Sequence, residues 1–240
     1  MARTMKIDNA LQKRFSYKSK QKSQKKEMII HFLIVCEGKE TEPNYFKGFP
    51  KKRGKFVYEL KFKGDGESEE NMGGISPKKV VEKAIELRDN SNQKFDRVWA
   101  VFDKDDFKDF DAAILKAKKN NIGCAWSNEA FELWYLLHFQ YRNTGMKRTE
   151  YQKAIEVEIN KLWKNKKKPF KYTKNASDMY DNLQNYGNQE QAIKWAEQLV
   201  QQYNDEKYST HNPRSQVYEL VKQLIGQDYE LNEEIRKGVE

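Results

Sequence analysis

The chain has 240 residues, 38% hydrophobic and 13% aromatic. That suffices for one α/β domain with an appended region or two small domains, and it excludes wholesale disorder. The formal charge of +9 is unevenly placed: residues 1–26 hold nine Lys/Arg and one acid, Asp8, which leaves 36 bases and 35 acids over residues 27–240 and excludes a uniformly basic nucleic-acid-binding body.

Residues 1–26, rich in Lys, Gln and Ser, predict a disordered basic arm. Such an arm suits either solubility or non-specific attraction to RNA, DNA or an acidic partner. Residues 29–36, IIHFLIVC, form a continuous apolar run, the pattern of a strand buried on both faces, ended by Glu37-Gly38. Thr41 as N-cap and Pro43 in the first turn predict a short helix through Tyr45 and Phe46. Residues 56–63 alternate as a half-exposed strand, and 64–74 (GDGESEENMGG) read as a loop. Ser76-Pro77 opens a helix through Leu87, and 97–102 (RVWAVF) is a second buried strand ending at Asp103. A helix over 109–120, a strand over 122–126 and an apolar helix over 130–139 complete the alternation.

Strands alternating with helices argue for a mainly parallel sheet with helices on its faces. From residue 149 onward the pattern is helical, over 149–163, 176–186, 188–203 and 213–225, with no strand expected. The predicted organisation is a basic arm (1–26), an α/β domain (27–140), a helical region (141–226) that packs against the sheet and walls a substrate groove, and a charged tail (227–240).

Cys36 and Cys124 stand far apart in apolar runs, which excludes a disulfide framework and a Cys-rich zinc site. Free thiols, no secretory apolar segment and no run of about 20 apolar residues give a cytoplasmic expectation with no membrane contact. His31, His138 and His211 lack metal-ligand spacing, and His138 fits a core role. No Walker-type loop, dinucleotide fingerprint or nucleophilic triad stands out.

Function in open parallel sheets collects beyond the carboxyl ends of strands. Two of the best strands end there in acids: Glu37, Glu40 and Glu42 in IVCEGKETE, and Asp103, Asp105 and Asp106 in VFDKDD. In an extended Asp-x-Asp the first and third side chains point the same way, so Asp103 and Asp105 can face one ion, with Glu37 supplying a third carboxylate. Mg²⁺ takes such hard-oxygen sites, and a cation relieves the repulsion among gathered acids. Acids after strands are also common as solvated turn residues or caps.

Other residues carry two readings each. Ser127 or Asn128 can cap the 130–139 helix. Glu132, in an otherwise apolar helix, can join the acid cluster or hold a basic side chain. The run KLWKNKKKPFKYTK (161–174) contains no acid. Its Lys161, Lys164, Lys166, Lys167, Lys168 and Lys171 suit phosphate contacts, and Trp163, Phe170 and Tyr172 suit base stacking, unless the aromatics dock inward. Lys174 can stabilise charge on a phosphate in the transition state. Arg214, before the last helix, can clamp a phosphate or serve the fold.

EGKETEPNYF (37–46), VFDKDDF (101–107), SNEAFELWYLLHF (127–139) and HNPRSQVYELV (211–221) together resemble the RloB family, found with bacterial restriction and anti-phage defence loci. The resemblance spans about residues 29–225, and the third block is the most specific. It implies similarity to the Toprim fold of topoisomerases, primases and OLD-type nucleases. By that resemblance Glu37 is a general acid/base or metal ligand, Asp103 and Asp105 bind Mg²⁺ (or Mn²⁺), and Glu42 serves a second metal. Glu129 departs from the pattern, standing where many relatives carry Pro.

The expectation is a Mg²⁺-dependent nuclease in anti-phage defence, acting on RNA (tRNA among the candidates) or DNA, alongside other defence-system proteins. The rivals are a non-catalytic nucleic-acid-binding subunit and a nucleotidyl-transfer enzyme using the same site.

Overall fold

The computed structural model describes residues 28–53, 56–62, 75–165 and 167–237. The basic arm, the loop 64–74 and Lys166 lie outside the described residues. Among those described, six strands form one sheet: β1 (Met28–Cys36), β2 (Lys52–Arg53), β3 (Phe56–Phe62), β4 (Arg97–Asp103), β5 (Gly123–Asn128) and β6 (Arg214–Ser215). Their spatial order is β2-β3-β1-β4-β5-β6. The four central strands run parallel, and the two-residue strands β2 and β6 lie antiparallel at the edges. This is the mainly parallel α/β sheet that the alternating pattern predicts.

The continuous apolar run of β1 forms a central strand because both faces of the sheet are covered. Its side chains alternate between two cores. Ile30, Phe32, Ile34 and Cys36 enter one, together with Trp99, Val101 and Ala125. Leu33 and Val35 enter the other, with Val98, Ala100, Phe102 and Trp126. Two helices cover this second face, α2 (Pro77–Asp89) and α3 (Phe110–Lys119), through Val80, Val81, Ala84, Phe110, Ala113 and Ile114.

The first face is more heavily built. It takes α1 (Thr41–Lys47), α4 (Glu132–Leu136), α5 (Arg148–Leu162), α6 (Met179–Tyr186), α7 (Gln189–Val200) and α8 (Val217–Leu224), in one apolar cluster drawn from Ile30 to Leu231. The C-terminal helices therefore pack on the sheet. No helix among the described residues is long and apolar enough to cross a membrane.

Three local expectations are corrected, and the charged tail, whose order the sequence left open, is helical over Tyr229–Lys237. The apolar segment 130–139 has only five α-helical residues, flanked by tighter turns such as Leu133 N–H to the Ala130 carbonyl and His138 N–H to the Tyr135 carbonyl. Burial on all sides, with every residue from 130 to 138 no more than 2% exposed, makes hydrophobic period uninformative there. A strand does occur late in the chain: β6 pairs with β5, and Gln216 N–H extends the contact to the Trp126 carbonyl. Two residues carry no period to read. The helix of the tail, α9 (Tyr229–Lys237), buries Leu231. Ser127 and Asn128 cap nothing; the Ser127 hydroxyl pairs with that of Ser215, and the Asn128 amide donates to the Ser209 carbonyl.

Candidate functional site

The parallel register of β1 and β4 sets Cys36 beside Val101, so both strands leave the sheet at the same edge. Glu37 N–H donates to the Val101 carbonyl (2.8 Å), prolonging the ladder by one residue. In return, the Asp103 N–H donates to Glu37 Oε2 at 3.2 Å. This crossing bond joins the two acidic motifs. Glu37 and Asp103 are each 8% exposed.

A cavity of about 390 Å³ opens at this edge. Glu37, Glu40, Glu42, Asp103, Asp105 and Glu132 line it, with Lys39, Arg148 and Lys174 as its basic residues. Glu42 is buried on α1, and its carboxylate folds back over Gly38, where a Cβ would stand 2.5 Å from Glu42 Oε2. Glu132 comes from α4 and is buried, its Oε1 accepting from the Tyr172 hydroxyl and from Gln152 Nε2, each at 3.0 Å. Lys174 is delivered by α1: the Thr41 hydroxyl donates to the Lys174 carbonyl (3.0 Å) and Asn44 Nδ2 to the Asn175 carbonyl (3.3 Å). Thr41 thus ties two segments together, and its expected N-cap bond is not formed.

Gathering carboxylates in a buried place raises their proton affinity. Burial pushes Glu37 up to about 7, with the Asp105 and Glu42 charges adding to it and the Asp103 N–H opposing. Burial likewise raises Glu42, helped by Glu132 and opposed by Lys174 and Arg148. Asp103 is raised well above the usual carboxylate range by burial and by Glu42, Glu132 and Glu37, with Arg148 opposing.

Arg148, the first residue of α5, reaches into the cluster. One guanidinium nitrogen lies 2.9 Å from Asp105 Oδ1 and 3.3 Å from Asp103 Oδ2. Its pKa is raised: burial pulls it down, but the Asp103, Asp105 and Glu132 charges outweigh that pull.

The donor set suits a hard divalent cation. It is all carboxylate, and Asp103 Oδ1 is buried without a hydrogen-bond partner. The arrangement is not preassembled: among the described residues, no group of three or more His, Cys, Asp or Glu side chains is already placed to hold a metal ion. Asp103 and Asp105 face the Arg148 guanidinium instead. Glu37, Asp103 and Asp105 are the residues that would hold Mg²⁺ or Mn²⁺, with Glu42 and Glu132 beside them.

The structure brings together Glu37, Glu40, Glu42, Asp103, Asp105, Glu132 and Lys174, and leaves Asp106, Arg214 and the described lysines of 161–171 outside that cavity's lining. Asp106 is exposed and lines a neighbouring cavity, with Lys104, Asn128, Glu129, Ser209 and Asn212. Asp105 and Arg148 line both cavities.

Arg214 is buried. Its guanidinium lies over Trp126 and Tyr208 and is bonded to Gln216 Oε1 and His211 Nδ1, so its donors serve the interior. His138 is buried, as its sequence setting suggested, and burial lowers its pKa to about 4.

The aromatics of the lysine run face inward, against the base-stacking expectation. Phe170 is buried in the core, Trp163 packs on Phe170 and Tyr186, and Tyr172 holds Glu132. Lys164, Lys167, Lys168 and Lys171 are exposed and lie outside the cavity lining, and Lys161 pairs with Glu158 (2.6 Å).

Arg148, Tyr172 and Gln152 are the site residues that sequence reasoning missed in these roles. Arg148 had one local signal. A cation in the first turn opposes the helix dipole, which favours acids there, and such a local inconsistency is a mark of functional positions.

No curated protein and no solved structure matches the chain. The sequence profile of the RloB-like proteins matches residues 32–224, spanning both acidic motifs, Arg148, Lys174 and β6, and the chain belongs to the RloB-like protein family.

Proposed function

We propose that this protein is a divalent-metal-dependent nuclease that cleaves nucleic-acid phosphodiesters, RNA in the first instance, in bacterial anti-phage defence. The observation that carries the reading is the convergence of Glu37, Asp103 and Asp105 from two strand ends into one cavity that also presents Lys174 and Arg148. The defence setting and the similarity to Toprim enzymes rest on membership of the RloB-like family.

Bound Mg²⁺ would supply a water of lowered pKa and neutralise charge on the phosphate. The chain's own residues account for the rest. Asp103 and Asp105 present carboxylate oxygens to one place, oriented by the strand end. Glu37 spends Oε2 on the Asp103 amide, which leaves Oε1 to accept a proton. A pKa near 7 suits a group that takes up and releases a proton near neutrality. Lys174, on the cavity wall, offers a positive charge to phosphate oxygens. The exposed Lys164, Lys167, Lys168 and Lys171 precede it in the chain and suit backbone phosphates rather than bases.

A second reading, a non-catalytic nucleic-acid-binding subunit, draws on the Arg148 pairing, which neutralises Asp103 and Asp105 internally. Sequencing of cellular RNA ends after induction separates the two. The nuclease reading expects discrete new ends with the wild type and none with Asp103→Ala. Identical end profiles for both, with no DNA breaks, would favour the binding subunit. Labelled NTPs incubated without nucleic acid yield a product only for a nucleotidyl-transfer enzyme using this site.

A further inference from the structure

We propose that Arg148 is a built-in counterion that competes with the divalent cation for Asp103 and Asp105 and leaves the pair when the cation takes it. This rests on the metal-dependent reading above and assigns a role to a residue outside both acidic motifs.

Three observations carry it. First, a single guanidinium nitrogen bridges Asp105 Oδ1 (2.9 Å) and Asp103 Oδ2 (3.3 Å), the two carboxylates that an ion would share. A carboxylate oxygen pointed at a guanidinium is not pointed at an ion. This explains how an acid-rich cavity can lack a ready-made group of three ligands among the described residues. Second, Arg148 is held by little else. It opens α5, at the helix end whose dipole repels a cation, and the hydrogen bonds and ion pairs of its side chain go to these two acids. Its position therefore depends on the carboxylate charges that a metal would cancel. Third, it has somewhere to go. Arg148 stands between the acid cavity and the neighbouring one of about 410 Å³, and lines both. Its side chain is 30% exposed, so a change of rotamer moves the guanidinium into the second cavity without opening the core.

The alternative is a general field effect, in which Arg148 lowers metal affinity only as one more positive charge nearby. Lys174 supplies the control, because it lines the same cavity and carries the same charge, and no hydrogen bond or ion pair joins its side chain to Asp103 or Asp105.

Calorimetric titration of Mn²⁺ into the full-length wild type, Arg148→Gln and Lys174→Gln tests the proposal. Competition predicts that Arg148→Gln binds Mn²⁺ about 2- to 5-fold more tightly than the wild type, the span set by removing a partly exposed ion-pair contact, and clearly more tightly than Lys174→Gln. Equal affinities for the two variants would overturn the competition while leaving the metal site intact. Mn²⁺ binding by none of the three proteins would bring down the metal reading along with it.

If Arg148→Gln does not fold, the Arg148 Nε–H signal of the wild type gives the answer, assigned by its loss in Arg148→Lys. It must shift with added Mg²⁺, at the midpoint of binding. A signal unmoved at saturating Mg²⁺ overturns the proposal.

Discussion

At the residue scale, Glu37 gives a signed pH dependence. Its pKa in the fold is about 7, above the ordinary 4.5, so between these values the folded chain holds a proton that the unfolded chain has released. In EDTA, the folded form therefore loses stability as pH rises from about 4.5 to 7, and the contribution levels off above that. Glu42 and Asp103, also raised, act in the same direction. Metal affinity runs the opposite way, rising with pH as these protons leave. Thermal denaturation in EDTA from pH 5 to 8 should show a steeper fall for the wild type than for Glu37→Gln. Parallel curves would show that Glu37 is an ordinary acid.

How much of the site the sequence revealed also turns on single residues. Glu37, Asp103 and Asp105 were legible because strand ends and period-two geometry fix where such side chains go. Glu132 was half legible, as one charge in an apolar stretch. Arg148 and Tyr172 come from segments with no pattern of their own near the acids, and their arrival is a tertiary fact. Trp163 and Phe170 were misread because a lysine-rich run does not tell which way its aromatics turn; core packing drew them in.

At the scale of elements, the site depends on how tightly the turn after β1 closes. Gly38 gives Glu42 room to fold back, and any Cβ there would meet its carboxylate at 2.5 Å. Gly38→Ala should displace Glu42 and weaken Mn²⁺ binding by about 10-fold, the size of effect seen when a supporting residue of a metal site is lost. The obstruction is the far end of a flexible side chain, so folding stability should change by no more than about 1 kcal/mol. Calorimetry and chemical denaturation check the two halves. Unchanged Mn²⁺ affinity would remove Glu42 from the site. The sequence placed β1, β3, β4 and β5 because buried strands and their intervening helices have strong periods. It missed β6, whose two residues are a strand only because β5 lies beside them.

At the scale of the whole molecule, an acid-lined cavity and a lysine-rich segment meet in the chain at Lys174. Lys164, Lys167 and Lys168 are exposed on the segment leading to Lys174. If single-stranded RNA follows that path, each lost phosphate contact lowers the salt dependence of binding by about 0.7 in log–log slope. Replacing all three lysines with Gln should thus reduce the slope by about 2, measured by fluorescence anisotropy on the Asp103→Ala background. A slope equal to that of the parent would move the RNA to another surface. The body's near balance of 36 bases and 35 acids makes this local placement, not net charge, the relevant quantity.

We propose that carboxylates from two strand ends hold one divalent site. Anomalous diffraction from crystals grown with Mn²⁺ tests it most directly. A Mn²⁺ peak is expected in the cavity within ligand distance of Asp103 and Asp105, with Glu37 beside it. A well-ordered cavity with no such peak at saturating Mn²⁺, its two aspartates still facing Arg148, would contradict it.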